Sequence, residues 1–299
     1  MLKYGGIKTQ IFTIIMNNTF KDLKYKIFQS GNPLFFYIGI NAILFLATAI
    51  ISVFLFLGKS DFIVGEWIRD YFGVPAAVSS LPTRFYTVLT YMFFHDGFLH
   101  LLFNMLGLFW FGNIFMNFLN SKQFHFVYLA GGFAGALIYI AGLNIFPAYA
   151  GGLVGQTVIG SSAAVMAIIV ATATLVPNYT IMLMLIGEVK IKWVAIAYFL
   201  ISFIGLSSVN AGGNLAHIGG AILGFAFIKS LQSGRDWSKL FERKPKLRVV
   251  KNETPPVKKP AFKDVSQKEI DEILDKISSS GYDKLTPTEK EKLFKASKD

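Results

Sequence analysis

The sequence contains no cysteine. Disulfides, thiolate metal sites and a cysteine nucleophile are thereby excluded, and nothing follows about redox compartment. Charge is also scarce. Charged residues make up 16% of the 299 positions, against about 25% in soluble domains, so a soluble surface of this size cannot be covered. The shortage is greatest in the middle of the chain. Residues 30–230 hold five acids and seven bases, while 231–299 hold twelve acids and seventeen bases. Histidine occurs four times, at His95, His100, His125 and His217. No His-Glu-x2-His is present and the histidines do not cluster at ligand spacing, which disfavours a metalloprotease. No metal and no cofactor are expected. No cleavable signal peptide is evident, because the first apolar run, residues 1–16, is interrupted by Lys3 and Lys8.

What is abundant is hydrocarbon, at 53% of residues. A membrane span needs about 20 apolar residues, and six candidates emerge: 34–57, 86–117, 123–146, 160–176, 192–208 and 213–230. The expectation is an all-α polytopic membrane protein in contact with the lipid bilayer. The net charge of +11 lies mostly in the two ends of the chain. Anionic headgroups and topology explain it, so no nucleic-acid partner is expected. Five lysines precede Pro33, Lys122 follows the second span, Lys190 and Lys192 follow the fourth, and the loops 147–159 and 208–212 carry no charge. This asymmetry puts both termini in the cytoplasm. The expected location is a bacterial inner (plasma) membrane.

Four segments follow. Residues 1–33 are a cytoplasmic N-terminal segment, 34–230 the six-helix membrane domain, 231–265 a charged Pro/Lys linker and 266–299 a small helical hairpin. In the hairpin, Ser266 with Glu269 and Thr286 with Glu289 have capping-box spacing. The hairpin is a candidate module for an unknown cytoplasmic partner. Within the membrane domain, residues 61–75 mix aromatics with charge like an amphipathic segment in the outer interface. The stretch after Pro177 is ambiguous, one reading being a dip into the inner leaflet.

Polar groups inside spans are expensive and mark function by default. His100 and Asn104, four residues apart, share a helix face, whereas His95, five from His100, looks elsewhere. His217 sits near the outer end of the last span, and Ser161 and Ser162 near the outer end of the fourth. Topology therefore gathers hydroxyl, imidazole and carboxamide at one depth. A Ser–His pair supports acyl transfer, and His100 and Asn104 can donate to an oxyanion. His217, Gly220 and Gly224 follow one face at steps of three and four residues, with a matching small face of Gly160, Ala164, Ala167 and Ala171 on the fourth span. No acid is placed as a third member, so a dyad is favoured. Neighbouring residues point about 100° apart on a helix, so only one serine can face His217, and spacing alone leaves the choice open.

These motifs resemble the rhomboid family of intramembrane serine proteases. "HDGFLHLLFNM" is similar to its His-x4-His-x3-Asn stretch, "GSSA" to its Gly-x-Ser-Gly and "AHIGGAILG" to its Ala-His-x2-Gly-x3-Gly. The resemblance covers about residues 34–230. It implies a six-helix bundle with a cavity opening outward, capped by the loop "SSVNAGGN". It implies Ser162 as nucleophile, His217 as general base and acid, and an oxyanion hole made by His100, Asn104 and the Ser162 N–H. It implies substrates that are membrane proteins with a helix-destabilised transmembrane segment, cut near the extracytoplasmic face. Three departures stand out: Ala163 replaces the second glycine, Met166 stands where an aromatic usually supports the His ring, and Arg84 is displaced from a Trp-Arg pair. The alternatives are an inactive rhomboid-like protein that binds membrane helices, and a proton-coupled transporter. The first typically loses Ser or His, and the second would show repeats or intramembrane acids.

Overall fold

The computed structural model describes residues 19–151, 155–183, 187–240 and 266–297. The apolar run 1–16 and residues 241–265 of the expected linker lie outside the described residues. The chain divides into two compact units, Met1–Arg243 and Lys244–Asp299.

The first unit is built from apolar helices. A helical stretch at 19–28 precedes α1 (Pro33–Leu57). The Asn32 side chain caps α1 by accepting from the Leu34 N–H, and Pro33 fills the first helical position, where no N–H is required. A short amphipathic helix α2 (Val64–Phe72) follows. Then come α3 (Phe98–Phe118), α4 (Ser121–Ile145), α5 (Ser162–Leu175), α6 (Ile191–Ile204) and α7 (Ala211–Gln232). A capping box between Asn120 and Gln123 starts α4 only three residues after α3 ends. Helices α1, α3, α4 and α7 are long and apolar enough to cross a membrane, and α5 and α6 are shorter apolar helices.

The central helix is α5, in which ten of 14 residues are buried. It packs against α3, α4 and α7. Lipid tails are as apolar as leucine, so such helices associate through close van der Waals packing rather than the hydrophobic effect. Gly220 and Gly224 show how close the packing is. A Cβ on either would overlap the backbone carbonyl of Ala163 or Ala167 on α5. At about 1.5 Å per residue α5 is about 21 Å long, short of the about 30 Å of hydrocarbon.

Two sequence expectations need correction. The second span does not run on from 86. Single turns at Leu81–Arg84, Thr87–Thr90 and Tyr91–Phe93 are followed by extended residues, and α3 begins only at Phe98. The residues after Pro177, whose reading the sequence left ambiguous, form an antiparallel pair, β3 (Thr180–Leu183) with β4 (Gly187–Lys190). A second pair, β1 (Val74–Pro75) with β2 (Thr157–Val158), stitches the first loop to the approach to α5 within a mostly helical molecule. The start of the expected linker also belongs to the bundle. Gln123 Nε2 donates to Asp236 at 3.0 Å, and Trp237 meets Phe227 at 6.4 Å between ring centroids.

The second unit is a hairpin of α8 (Gln267–Ser280) and α9 (Pro287–Ala296). Both capping boxes form, Ser266 with Glu269 and Thr286 with Glu289. Each capping glutamate also receives a lysine from the other helix. Lys292 reaches Glu269 and Lys276 reaches Glu289, both at 2.8 Å. Ile273 and Leu285 are buried within it.

Candidate active site

The α5 N-terminus is aimed by the loop before it. The β1–β2 pair holds Thr157 and Val158, and the Gly160 N–H donates to the Tyr91 carbonyl at 2.9 Å. Gly160 was expected on the packing face of the fourth span. It lies instead just before α5, with φ at +131°, a conformation that side chains resist. A Cβ there would come within 2.9 Å of His100 Nε2 and 3.7 Å of Ser162 Oγ. Glycine thus lets the backbone lie directly against the His100 ring.

The two serines then separate. Ser161 is the N-cap residue, yet its hydroxyl makes no cap bond. It is fully buried and meets His95 Nε2 at 3.0 Å. His95 is not on α3; it lies in the extended stretch before that helix, with its ring edge-on to His100 at 5.1 Å. It therefore sits beside His100 rather than facing away from it. The next residue, Asp96, pairs with Arg69 of α2 at 2.7 Å. Arg84 anchors the same loop by donating to the Arg69 and Gly73 carbonyls at 2.9 and 3.2 Å.

Ser162, in the first turn of α5, faces a cavity of about 780 Å³. His100, Asn104, His217, Tyr198 and Asn210 share its wall. The starts of α3, α5 and α7 thus meet at one end of the bundle. Backbone N–H groups in a helix's first turn have no intrahelical acceptor, so the Ser162 end of α5 presents free donors beside its hydroxyl. Asn104 is buried, and its amide donates to the His100 carbonyl at 2.8 Å, which leaves its second N–H available. Asn210 and Gly213 bring the glycine-bearing loop onto the same cavity.

Family comparison covers the stretch that builds this wall. Residues 82–232 match the Rhomboid domain. The chain belongs to the rhomboid family. Comparison with curated proteins gave no significant match. Residues 261–299 match a family of unknown function, DUF6576, so the hairpin lies in a region of its own. This rhomboid is an integral membrane protein, and its candidate residues all fall inside the matched domain.

The sequence reading missed the partners of His217 in this rhomboid. Met166 was considered as the support for the ring. The aromatic contact comes from α6 instead, where Tyr198 stands edge-on at 5.5 Å. From the same helix, Ser202 Oγ lies 3.0 Å from His217 Nδ1. The signal was present, since Tyr198 and Ser202 are four apart and share one face of a helix that is otherwise apolar after Lys192.

Proposed function

We propose that this chain is an intramembrane serine endopeptidase that cuts transmembrane segments of other membrane proteins near the extracytoplasmic face. One observation carries the reading. Ser162, His217, His100 and Asn104, drawn from three helices, line a single polar-ended cavity among apolar side chains. Ser162 Oγ attacks the scissile carbonyl carbon as its proton passes to His217 Nε2. The carbonyl electron pair moves to oxygen, where the His100 ring, the Asn104 amide and the Ser162 N–H donate to it. Collapse expels the amine, which takes the proton from His217, and water then hydrolyses the acyl-enzyme by the same sequence. Membrane proteins with a helix-destabilised segment are the proposed substrates, because an extended backbone must enter the cavity for its carbonyl to be reached. The site faces away from the cytoplasm if both termini are cytoplasmic, in a bacterial inner membrane.

The test is labelling of the purified protein with a fluorophosphonate, mapping of the labelled residue, and cleavage of a single-span substrate in liposomes. Labelling at Ser162 with cleavage lost in Ser162→Ala is expected. A folded protein that neither labels nor cleaves would favour a membrane-helix-binding protein without hydrolytic activity.

A further inference from the structure

Helix α6 has 14 residues, and three of them, Ile191, Ala195 and Ser202, are buried. Its outward face is hydrocarbon, with Ile201 and Ile204 both exposed. A hydroxyl at one of the few buried positions of such a helix is costly unless bonded. Other hydroxyls in this bundle bond back to the carbonyl four residues earlier, as Thr172 does to Ile168 and Thr174 to Val170, each at 2.7 Å. Ser202 departs from that habit and meets His217 Nδ1 at 3.0 Å.

The register that makes this contact is itself held. The Asn214 amide on α7 donates to the Gly205 carbonyl at the end of α6 at 2.8 Å. A Cβ on Gly205 would overlap that amide. The Tyr149 hydroxyl donates to the neighbouring Leu206 carbonyl at 2.8 Å. Tyr198, one turn before Ser202, closes on the His217 ring from the side. Two side chains of α6 thus meet one imidazole, Ser202 at Nδ1 and Tyr198 edge-on to the ring.

We propose that Ser202 is a positioning residue for His217: its hydroxyl oxygen accepts the Nδ1 proton and keeps Nε2 bare for Ser162, in the role an acid fills in three-member hydrolytic sites. This rests on the reading of Ser162 and His217 as a dyad. A base must present an unprotonated nitrogen to the nucleophile, and in neutral imidazole that requires the proton on the other nitrogen. A neutral acceptor supplies the tautomer and the orientation without placing a carboxylate in the bilayer, where ionised groups are expensive. When Ser162 gives up its proton and the ring becomes positive, the Nδ1–H bond to Ser202 strengthens, because bonds from a charged donor are the stronger ones.

The experiment uses the full-length protein in liposomes. Ser202→Ala is expected to lower kcat roughly 10- to 100-fold, the value of a hydrogen bond to a charged group, with KM nearly unchanged. Ser202→Thr, which keeps the hydroxyl, is expected to recover most of the rate. In parallel, ¹⁵N resonances of the His217 ring are recorded, assigned by their disappearance in His217→Ala. Protonated Nδ1 in the native protein and a mixture of tautomers in Ser202→Ala are expected. A bare Nδ1 in the native protein, or ring resonances indifferent to Ser202→Ala, would overturn the proposal whether or not the protein cleaves. A native protein that fails to cleave, with the ring still responding to Ser202→Ala, removes the protease reading and leaves the positioning contact standing.

Discussion

Gly220 of α7 lies so close to the Ala163 carbonyl of α5 that a β-carbon at Gly220 would overlap it. Ala163 adjoins Ser162, and Gly220 lies three residues after His217, so this close contact also joins the two helices that carry the proposed dyad. Gly220→Val is expected to push the helices apart. Overpacking costs roughly 1–3 kcal/mol, and thermal denaturation in detergent should show it together with loss of cleavage. A variant of native stability and native activity would show that the contact is not needed.

Ser162→Ala is expected to abolish cleavage and fluorophosphonate labelling. His217→Ala should be as inactive, with the double variant no worse, because members of one catalytic unit are not additive. Substantial hydrolysis by His217→Ala would point to another base.

Ser161→Ala should behave differently. It removes the hydroxyl that meets the buried His95 Nε2 and leaves the backbone N–H of residue 161, at 3.4 Å, as the remaining partner; losing one such hydrogen bond costs roughly 0.5–1.5 kcal/mol. Lower thermal stability with most of the catalytic rate kept is the expected pattern. The roles would have to be exchanged if Ser161→Ala were stable but dead while Ser162→Ala still cleaved.

His100→Ala and Asn104→Ala should each lower kcat more than they raise KM. An oxyanion donor is worth roughly 10²–10³ in kcat. A loss confined to KM would assign them to substrate binding.

The hairpin should lose its order in acid. Bonds from the Lys276 ammonium, then from the Thr286 N–H and hydroxyl, hold the Glu289 carboxyl down to about 2, against an ordinary 4.5. The Lys292 ammonium likewise holds Glu269 low. A depressed carboxyl stabilises the folded form above its unfolded value and ceases to do so as pH falls through its folded value. Amide protection of residues 267–296 in the full-length protein should therefore be complete above about pH 5 and fade towards pH 2. Lys276→Met should move the onset of fading to higher pH, and protection independent of pH and of Lys276 would remove the ion pairs from the account. Because Asp236 and Trp237 bond and pack within the bundle, a truncation that tests whether the hairpin is needed for cleavage belongs after Arg243, where cleavage of a model substrate should persist.

By itself the sequence determined the class of protein and the ends of most helices. Charge that is scarce from Ser30 to Ser230 and crowded beyond it leaves a bilayer as the one solvent for the middle. Caps at Ser266 and Thr286 are local, made between residues three apart, and so were legible without a fold. The small face of α7 was legible too, since Gly220 and Gly224 recur at the helical period. What tertiary structure decided was direction. Two adjacent serines have the same local signal, and which one faces the cavity depends on His95, 66 residues away, claiming the hydroxyl of Ser161. The break before α3 was hidden because residues 86–97 are as apolar as a helix, while their turns answer to contacts such as Gly160 with Tyr91. The partners of His217 were hidden for the same reason. Tyr198 and Ser202 become its neighbours only when the turn at Gly205 folds α6 back along α7, and hydrogen-bond reach across that turn is not written in any spacing along the chain.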